Sequence, residues 1–215
     1  MTIAVIDYEM GNLRSVEKAL ERVGAGAVVT RDPDVIMGAA AAVLPGVGAF
    51  GACMERLRRH GLVEPVRIFA ASGRPFLGIC VGMQILFDES EEFGLVPGLG
   101  ILPGRIVRFA SDPERRRKVP HMGWNALRIV APAPHLAGLE DGAQVYFVHS
   151  YYAEPADPGI VATTTDYGVT FASSVWRDNV FAAQFHPEKS QAAGLRILAN
   201  FAALAGEVGA AAAAR

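Results

Sequence analysis

The 215 residues contain only two cysteines, Cys53 and Cys80. That is too few for a disulfide framework, so a thiol that matters here acts as a thiol. Charge of one sign is also missing: 20 basic residues against 22 acidic ones leave a formal charge of -2. Such a chain has no general attraction for a phosphate backbone or an anionic bilayer, and neither nucleic acid nor membrane is expected as a partner. No apolar run is long enough to span a bilayer, and the opening MTIAVIDYEM has no basic segment ahead of one. A cytoplasmic location is expected.

What is present is globular in character, with 51% apolar and 20% charged residues. This length suits a single core that folds without metal or disulfide. No repeat and no linker divides the chain, so one domain over residues 1–206 is expected, followed by an Ala-rich tail over 207–215 that frays. Short apolar runs alternate with amphipathic ones in the first half. Residues 3–7 read as a buried strand, 15–22 as a helix with Ser15 as a candidate cap, and 27–30 as the next strand. Runs at 41–44 and 76–79 are further buried strands, separated by a helical stretch containing Met54, Leu57, Val66 and Phe69. From Gly104 onward the period falls to two, with strands expected at 105–109, 126–130, 144–148, 161–165, 170–176 and 180–184, a turn at 177–179, and a closing helix over 191–204. The expected fold is α/β, with a mixed, mainly parallel central sheet, helices on both faces and an antiparallel extension.

Three segments carry chemistry. In PFLGICVGMQ (75–84), Cys80 stands between glycines after an apolar strand and before an apolar helix. A sharp strand-to-helix turn presents a nucleophile in this way, and the helix N-terminus favours thiolate over thiol. A small buried cysteine is the plain alternative; the paired glycines argue against it for Cys80. Cys53 has no such setting and reads as packing. In QFHPEKS (184–190), His186 and Glu188 are two apart after a strand, so an extended backbone points both the same way. Pro187 keeps His186 extended. His186 then serves as base and acid, and Glu188 orients its ring. Alone, His-Pro-Glu reads better as a surface turn; with Cys80 it completes a triad. In LPGVGAF (44–50) a strand enters a glycine-rich loop whose amides suit an oxyanion, joined by the N–H of Val81. A phosphate loop is the weaker reading, lacking the Lys-Ser/Thr of a Walker loop, and on this segment alone a structural turn fits better.

Together GICVGMQ, HPEKS and PGVG resemble the class I glutamine amidotransferases, in order and approximate separation, over the chain to about Gly206. The segments DYEMGNLRSV (7–16) and VPHMGWN (119–125) narrow the resemblance to the glutaminase subunits of imidazole glycerol phosphate synthases in histidine biosynthesis. By themselves these two segments are a strand-turn-helix and a loop with one aromatic. The resemblance implies glutamine hydrolysis through a thioester on Cys80, no metal or organic cofactor, and a (β/α)8 cyclase partner. That partner would use the ammonia to make imidazole glycerol phosphate and an aminoimidazole carboxamide ribonucleotide. Carried over residue by residue, Val47, Gly48 and Val81 serve the oxyanion, and Gln84, Ser150 and Tyr151 bind glutamine. Asn12, Trp124, Asn125 and Lys189 face the partner. His121 and His149 are structural in this reading, and residues 111–118, with their basic run, form a solvated loop. A glutaminase for another synthase and a non-catalytic regulatory subunit are the rival readings; the intact triad counts against the second.

Overall fold

The computed structural model describes residues 2–110 and 118–213, with side chains as far as 207. The basic run expected to be a solvated loop therefore lies outside the described residues, apart from Lys118. In chain order the elements are β1 (Thr2–Ile6), α1 (Leu13–Arg22), β2 (Gly26–Thr30), α2 (Pro33–Gly38), β3 (Ala41–Gly46), α3 (Phe50–Arg59), α4 (Val63–Ala70), β4 (Phe76–Cys80), α5 (Val81–Gln84), β5 (Phe87–Ser90), β6 (Val96–Pro97) and β7 (Leu102–Arg108). There follow β8 (His121–Ala126), β9 (Arg128–Ile129), β10 (Gln144–His149), β11 (Tyr151–Pro155), β12 (Val161–Asp166), β13 (Thr170–Arg177), β14 (Val180–Ala183) and α6 (Gln191–Ala213).

One mixed sheet runs β2-β1-β3-β4-β14-β13-β11-β7-β5-β6, with β12 and β9 attached through β13, while β8 and β10 pair separately. From β2 to β14 every pairing is parallel. The strands in the middle of that half, β3, β4 and β14, are buried at every residue, as expected where helices cover both faces of a parallel sheet. The pairings of β14 with β13, β13 with β11 and β11 with β7 are antiparallel and form the extension.

Several local readings change. Helix α1 begins at Leu13, and its first residue is preceded by Asn12, whose side chain makes no capping bond; Ser15 lies inside the helix. The apolar run after Cys80 is one helical turn, not a long helix, and the chain returns to strand at Phe87. Ile85, Leu86 and Phe87 are all fully buried, so no polar face marked where one period gave way to the other. The segment expected to be a loop around Trp124 is strand β8, antiparallel to β10 from His121↔His149 to Ala126↔Gln144. Strand β11 begins two residues after β10 ends, with no turn signal between them in the sequence. The closing helix runs past Leu204 to Ala213, and alanine is the strongest helix former. No helix among the described residues is long and apolar enough to cross a membrane.

The arrangement gathers the C-terminal ends of three parallel strands. Gly46 at the end of β3 pairs with Cys80 at the end of β4, and Ala183 at the end of β14 pairs with Ile79. The glycine-rich loop, the cysteine turn and the His-Pro-Glu segment therefore leave the sheet side by side, outside the carboxyl ends of its strands, where open α/β sheets place their ligands.

Candidate active site

Cys80 has φ 56° and ψ -115°. A non-glycine residue held in that region costs about 1–3 kcal/mol and persists only where its surroundings overdetermine it. Here they do so by close packing: a Cβ at Gly82 would fall 1.8 Å from the Leu44 carbonyl oxygen, and one at Gly46 would fall 2.5 Å from the Gly82 nitrogen. Only glycines let the cysteine turn lie this near β3. Cys80 is 3% exposed, and its sulfur stands 3.9 Å from the Gln184 Nε2 donor.

His186 and Glu188 leave β14 on a short 3-10 turn (Pro187–Lys189). His186 Nδ1 is 2.8 Å from Glu188 Oε1, with side chains 2% and 1% exposed. The turn is tied back by Ser190, whose hydroxyl donates to the His186 carbonyl at 2.6 Å and accepts the Tyr146 N–H at 3.0 Å, while the His186 N–H donates to the Tyr146 carbonyl. His186 Nε2 and Glu188 Oε2 have no hydrogen-bond partner among the described residues. Burial works against a charged His186 ring, but the neighbouring Cys80 sulfur and the Glu188 carboxylate outweigh it and push its pKa up to about 10. This environment favours a charged imidazolium at His186. Burial pushes the Cys53 thiol up to about 12, and it donates to the Val47 carbonyl at 3.5 Å.

A cavity of about 330 Å3 opens on the sulfur. Val47, Gly48, Cys80, Val81, Gln84, Ser150, Tyr151 and His186 all line it, so the structure brings the expected nucleophile, base, loop and glutamine contacts to one place. Glu188 lies behind His186. Two details differ from a ready site. The Val47 N–H is committed to the Met10 carbonyl at 3.1 Å. Gln84 spends its Nε2 on the Tyr151 carbonyl at 3.0 Å and Gln184 Oε1 at 2.9 Å, so only its oxygen is left to face a ligand.

The cavity wall also holds Glu92, which the sequence did not single out. Its carboxylate accepts the Phe50 N–H at 2.6 Å, at the start of α3; within Glu91-Glu92-Phe93-Gly94 it looks like one more solvated charge. Gln184 and Ser190 were missed for the same reason, since each acts through partners distant in sequence. Among the described residues no group of three His, Cys, Asp or Glu side chains is placed to hold a metal.

The four residues expected at a partner surface lie away from the cavity lining. Asn12 and Lys189 are exposed and Trp124 is 47% exposed. Trp124 stands edge-on to Tyr146, with ring centroids 6.0 Å apart, and Lys189 Nζ lies 5.9 Å from the Tyr146 centroid, so three side chains share one face. Asn125 is half-buried with its amide bonded internally, to Asp166, His121 and its own neighbour Ala126.

Burial holds three further histidines neutral: His121 and His135 are lowered to about 4, and His149 to about 3. Each folded value lies below the ordinary 6.5, so the unfolded chain takes up these protons first. The stability they represent is complete above pH 6.5 and is lost as pH falls toward 4, with a limiting slope of about 4 kcal/mol per unit for three protons. His186, shifted upward, is protonated in both states there and adds nothing to this limb. Denaturant melts at pH 7 and pH 5 should show a marked drop, with a shallower dependence, by one proton, in His135→Leu; pH-independent melts would contradict the burial argument.

Comparison with known proteins places these features. The model of the family described as glutamine amidotransferase class-I matches residues 4–204. The imidazole glycerol phosphate synthase subunit HisH of Syntrophotalea carbinolica is 60% identical over 202 residues, covering 93% of this chain and 98% of that protein. The HisH subunit of Geobacter metallireducens is 57% identical over 204 residues, covering 94% and 97%. A crystal structure of a glutamine amidotransferase superposes with a TM-score of 0.72 at 23% identity, covering 94% of this chain and 98% of that one, and supports the fold alone.

Proposed function

The chain belongs to the class I glutamine amidotransferase family, and from that premise we propose that it is the glutaminase subunit of an imidazole glycerol phosphate synthase in histidine biosynthesis. It hydrolyses glutamine to glutamate and ammonia and passes the ammonia to a (β/α)8 cyclase subunit, which makes imidazole glycerol phosphate and an aminoimidazole carboxamide ribonucleotide. The observation that carries the chemistry is a strained Cys80 sharing one cavity with a His186 that is bonded to a buried Glu188.

In this reading the Cys80 thiolate attacks the side-chain carbonyl carbon of glutamine. The oxyanion forms within reach of the Val81 N–H and of the loop at Val47 and Gly48. His186, bonded to Glu188, protonates the leaving nitrogen, ammonia departs, and a thioester remains. His186 then takes a proton from water as the water attacks the thioester, releasing glutamate and returning Cys80 to the thiolate with His186 protonated. Gln84, Ser150 and Tyr151 bind the rest of the substrate, and the Glu92 carboxylate supplies the opposite charge for its α-ammonium group. Asn12, Trp124, Asn125 and Lys189 belong to the partner face, Asn125 by bracing its strand.

The test uses the chain with purified cyclase subunit and its nucleotide substrate, following glutamate release and imidazole glycerol phosphate together. The two should be coupled. His186→Ala and Glu188→Ala should each lower kcat, and the double variant should lose far less than the product of the single losses, because the pair acts as one unit. Glutamate release without coupled product would overturn the assignment to this synthase. Multiplicative losses would reduce Glu188 to a structural residue.

A further inference from the structure

The two histidines that the triad leaves unused, His121 and His149, form a hydrogen-bonded chain whose direction follows from both of its ends. At one end the Ala126 N–H, which can only donate, reaches Asn125 Oδ1 at 2.8 Å. The Asn125 NH2 is therefore turned toward the Asp166 carbonyl at 2.9 Å and His121 Nε2 at 3.2 Å. His121 Nε2 must accept, so in the neutral ring the proton is on Nδ1, which lies 2.9 Å from His149 Nε2. At the other end the Tyr151 carbonyl, which can only accept, takes the proton of His149 Nδ1 at 2.8 Å. That leaves His149 Nε2 free to accept what His121 donates. The two derivations agree.

The Tyr151 carbonyl also accepts from Gln84 Nε2, whose second proton goes to Gln184 Oε1, and this turns the Gln184 NH2 toward the Cys80 sulfur at 3.9 Å. Both ring nitrogens of His121 and of His149 therefore have partners. The rings are 3% and 6% exposed, with His121 stacked between Tyr167 and Phe147 at centroid distances of 4.0 and 4.8 Å. Neutrality suits this role: burial holds both rings neutral.

We propose that His149 and, through it, His121 are positioning residues that lock the Tyr151 carbonyl and thereby orient the Gln84–Gln184 amide pair against the Cys80 sulfur. The inference rests on the reading of Cys80 as nucleophile. It also gives β8 a second task, because the strand that displays Trp124 on its outside begins, on its inside, the set of bonds that ends at the nucleophile.

Two experiments decide it. Long-range 15N–1H spectra of the full chain at pH 7 should show both rings protonated at Nδ1 and bare at Nε2; an Nε2–H on either ring overturns the chain. Glutaminase kinetics of His149→Asn and His149→Gln, in complex with the cyclase, separate positioning from filling. The Asn amide nitrogen sits where Nδ1 did and keeps the bond to Tyr151, whereas Gln matches histidine better in volume but loses that donor. His149→Gln should fall below His149→Asn by about tenfold or more in kcat/KM for glutamine, the size expected for a lost bond to a buried carbonyl. The loss should lie mainly in KM, since Tyr151 and Gln84 line the pocket and the triad is intact. Equal losses, or the reverse order, overturn the proposal. Cys80→Ala in the same assay isolates the underlying reading: glutamine turnover by that variant would refute the nucleophile, while the tautomers would still be decided by the spectra.

Discussion

Replacement of Cys80 by alanine should eliminate glutamine-dependent synthesis in the complex with the cyclase, while ammonium salts continue to support product formation. The variant lacks the only atom positioned to form the thioester: its sulfur lies in the cavity with His186, whereas Cys53 is buried, donates to the Val47 carbonyl and has its thiol pushed up to about 12. Losing a nucleophile from a coupled triad lowers kcat by roughly 10⁴–10⁶, because the remaining members have no reaction to assist. In the proposed complex the cyclase site lies on the other subunit, so ammonia supplied from solution bypasses the defect. Folding should survive, since alanine leaves the turn without a larger side chain and relieves none of the glycine contacts that hold it. Measuring product from glutamine and from ammonium in parallel checks both halves. Retained glutamine-dependent turnover would sink the assignment of Cys80, and loss of both activities would point to a broken complex. Cys53→Ala should change the glutamine-dependent rate little.

Binding of the cyclase with its nucleotide substrate should raise glutaminase kcat by about 10²–10³, the effect of gaining one oxyanion donor. In the proposed reading such a donor is turned away in the free chain: the Val47 N–H is bonded to the Met10 carbonyl at 3.1 Å. Met10 lies in the same short loop as exposed Asn12, so a partner seated on Asn12 can draw the Met10 carbonyl away and release the amide. That N–H belongs to the peptide between Gly46 and Val47, and glycine at 46 gives the peptide a freedom that a side chain would remove; at Gly48, φ 90°, a Cβ would meet Met10 Cε at 3.1 Å. Two states differing by one peptide orientation are enough for a switch if the partner binds one of them better. The measurement is kcat for the free chain, for the complex, and for the complex with cyclase substrate; equal values in all three would refute the switch even with Cys80 proved catalytic. Gly48→Ala should blunt the stimulation. Lys189→Ala and Trp124→Ala should also weaken it while leaving the free chain's slow turnover nearly unchanged; a large loss in the free chain would place those residues at the reaction centre.

What the sequence determined by itself was local. Strand-then-turn geometry around Cys80 follows from Gly78 and Gly82 flanking it, a backbone preference set within a few residues. His186 and Glu188 do meet, but through the 3-10 turn Pro187–Lys189 and not through the extended backbone that a spacing of two suggested. The alternation of buried strands with helices likewise announced a parallel half and an antiparallel half, because burial on two faces or on one leaves its period in the chain. Tertiary structure decided whatever depends on residues far apart. Strand β8 was read as a loop because its regularity comes from pairing with β10, and the length of α5 was not legible because a run buried on every side has no period to show where helix stops. Glu92, Gln184 and Ser190 carry no signal of their own; their roles exist only through Phe50, Gln84 and Tyr146. The same holds for the Val47 amide, which in sequence is one more loop N–H and in the fold is held by Met10, and for His121 and His149, whose tautomers are set by a carbonyl at one end and an amide at the other. A spacing of a few residues constrains dihedral angles directly, whereas a hydrogen-bond partner across a sheet is chosen only when register and burial bring the two groups together.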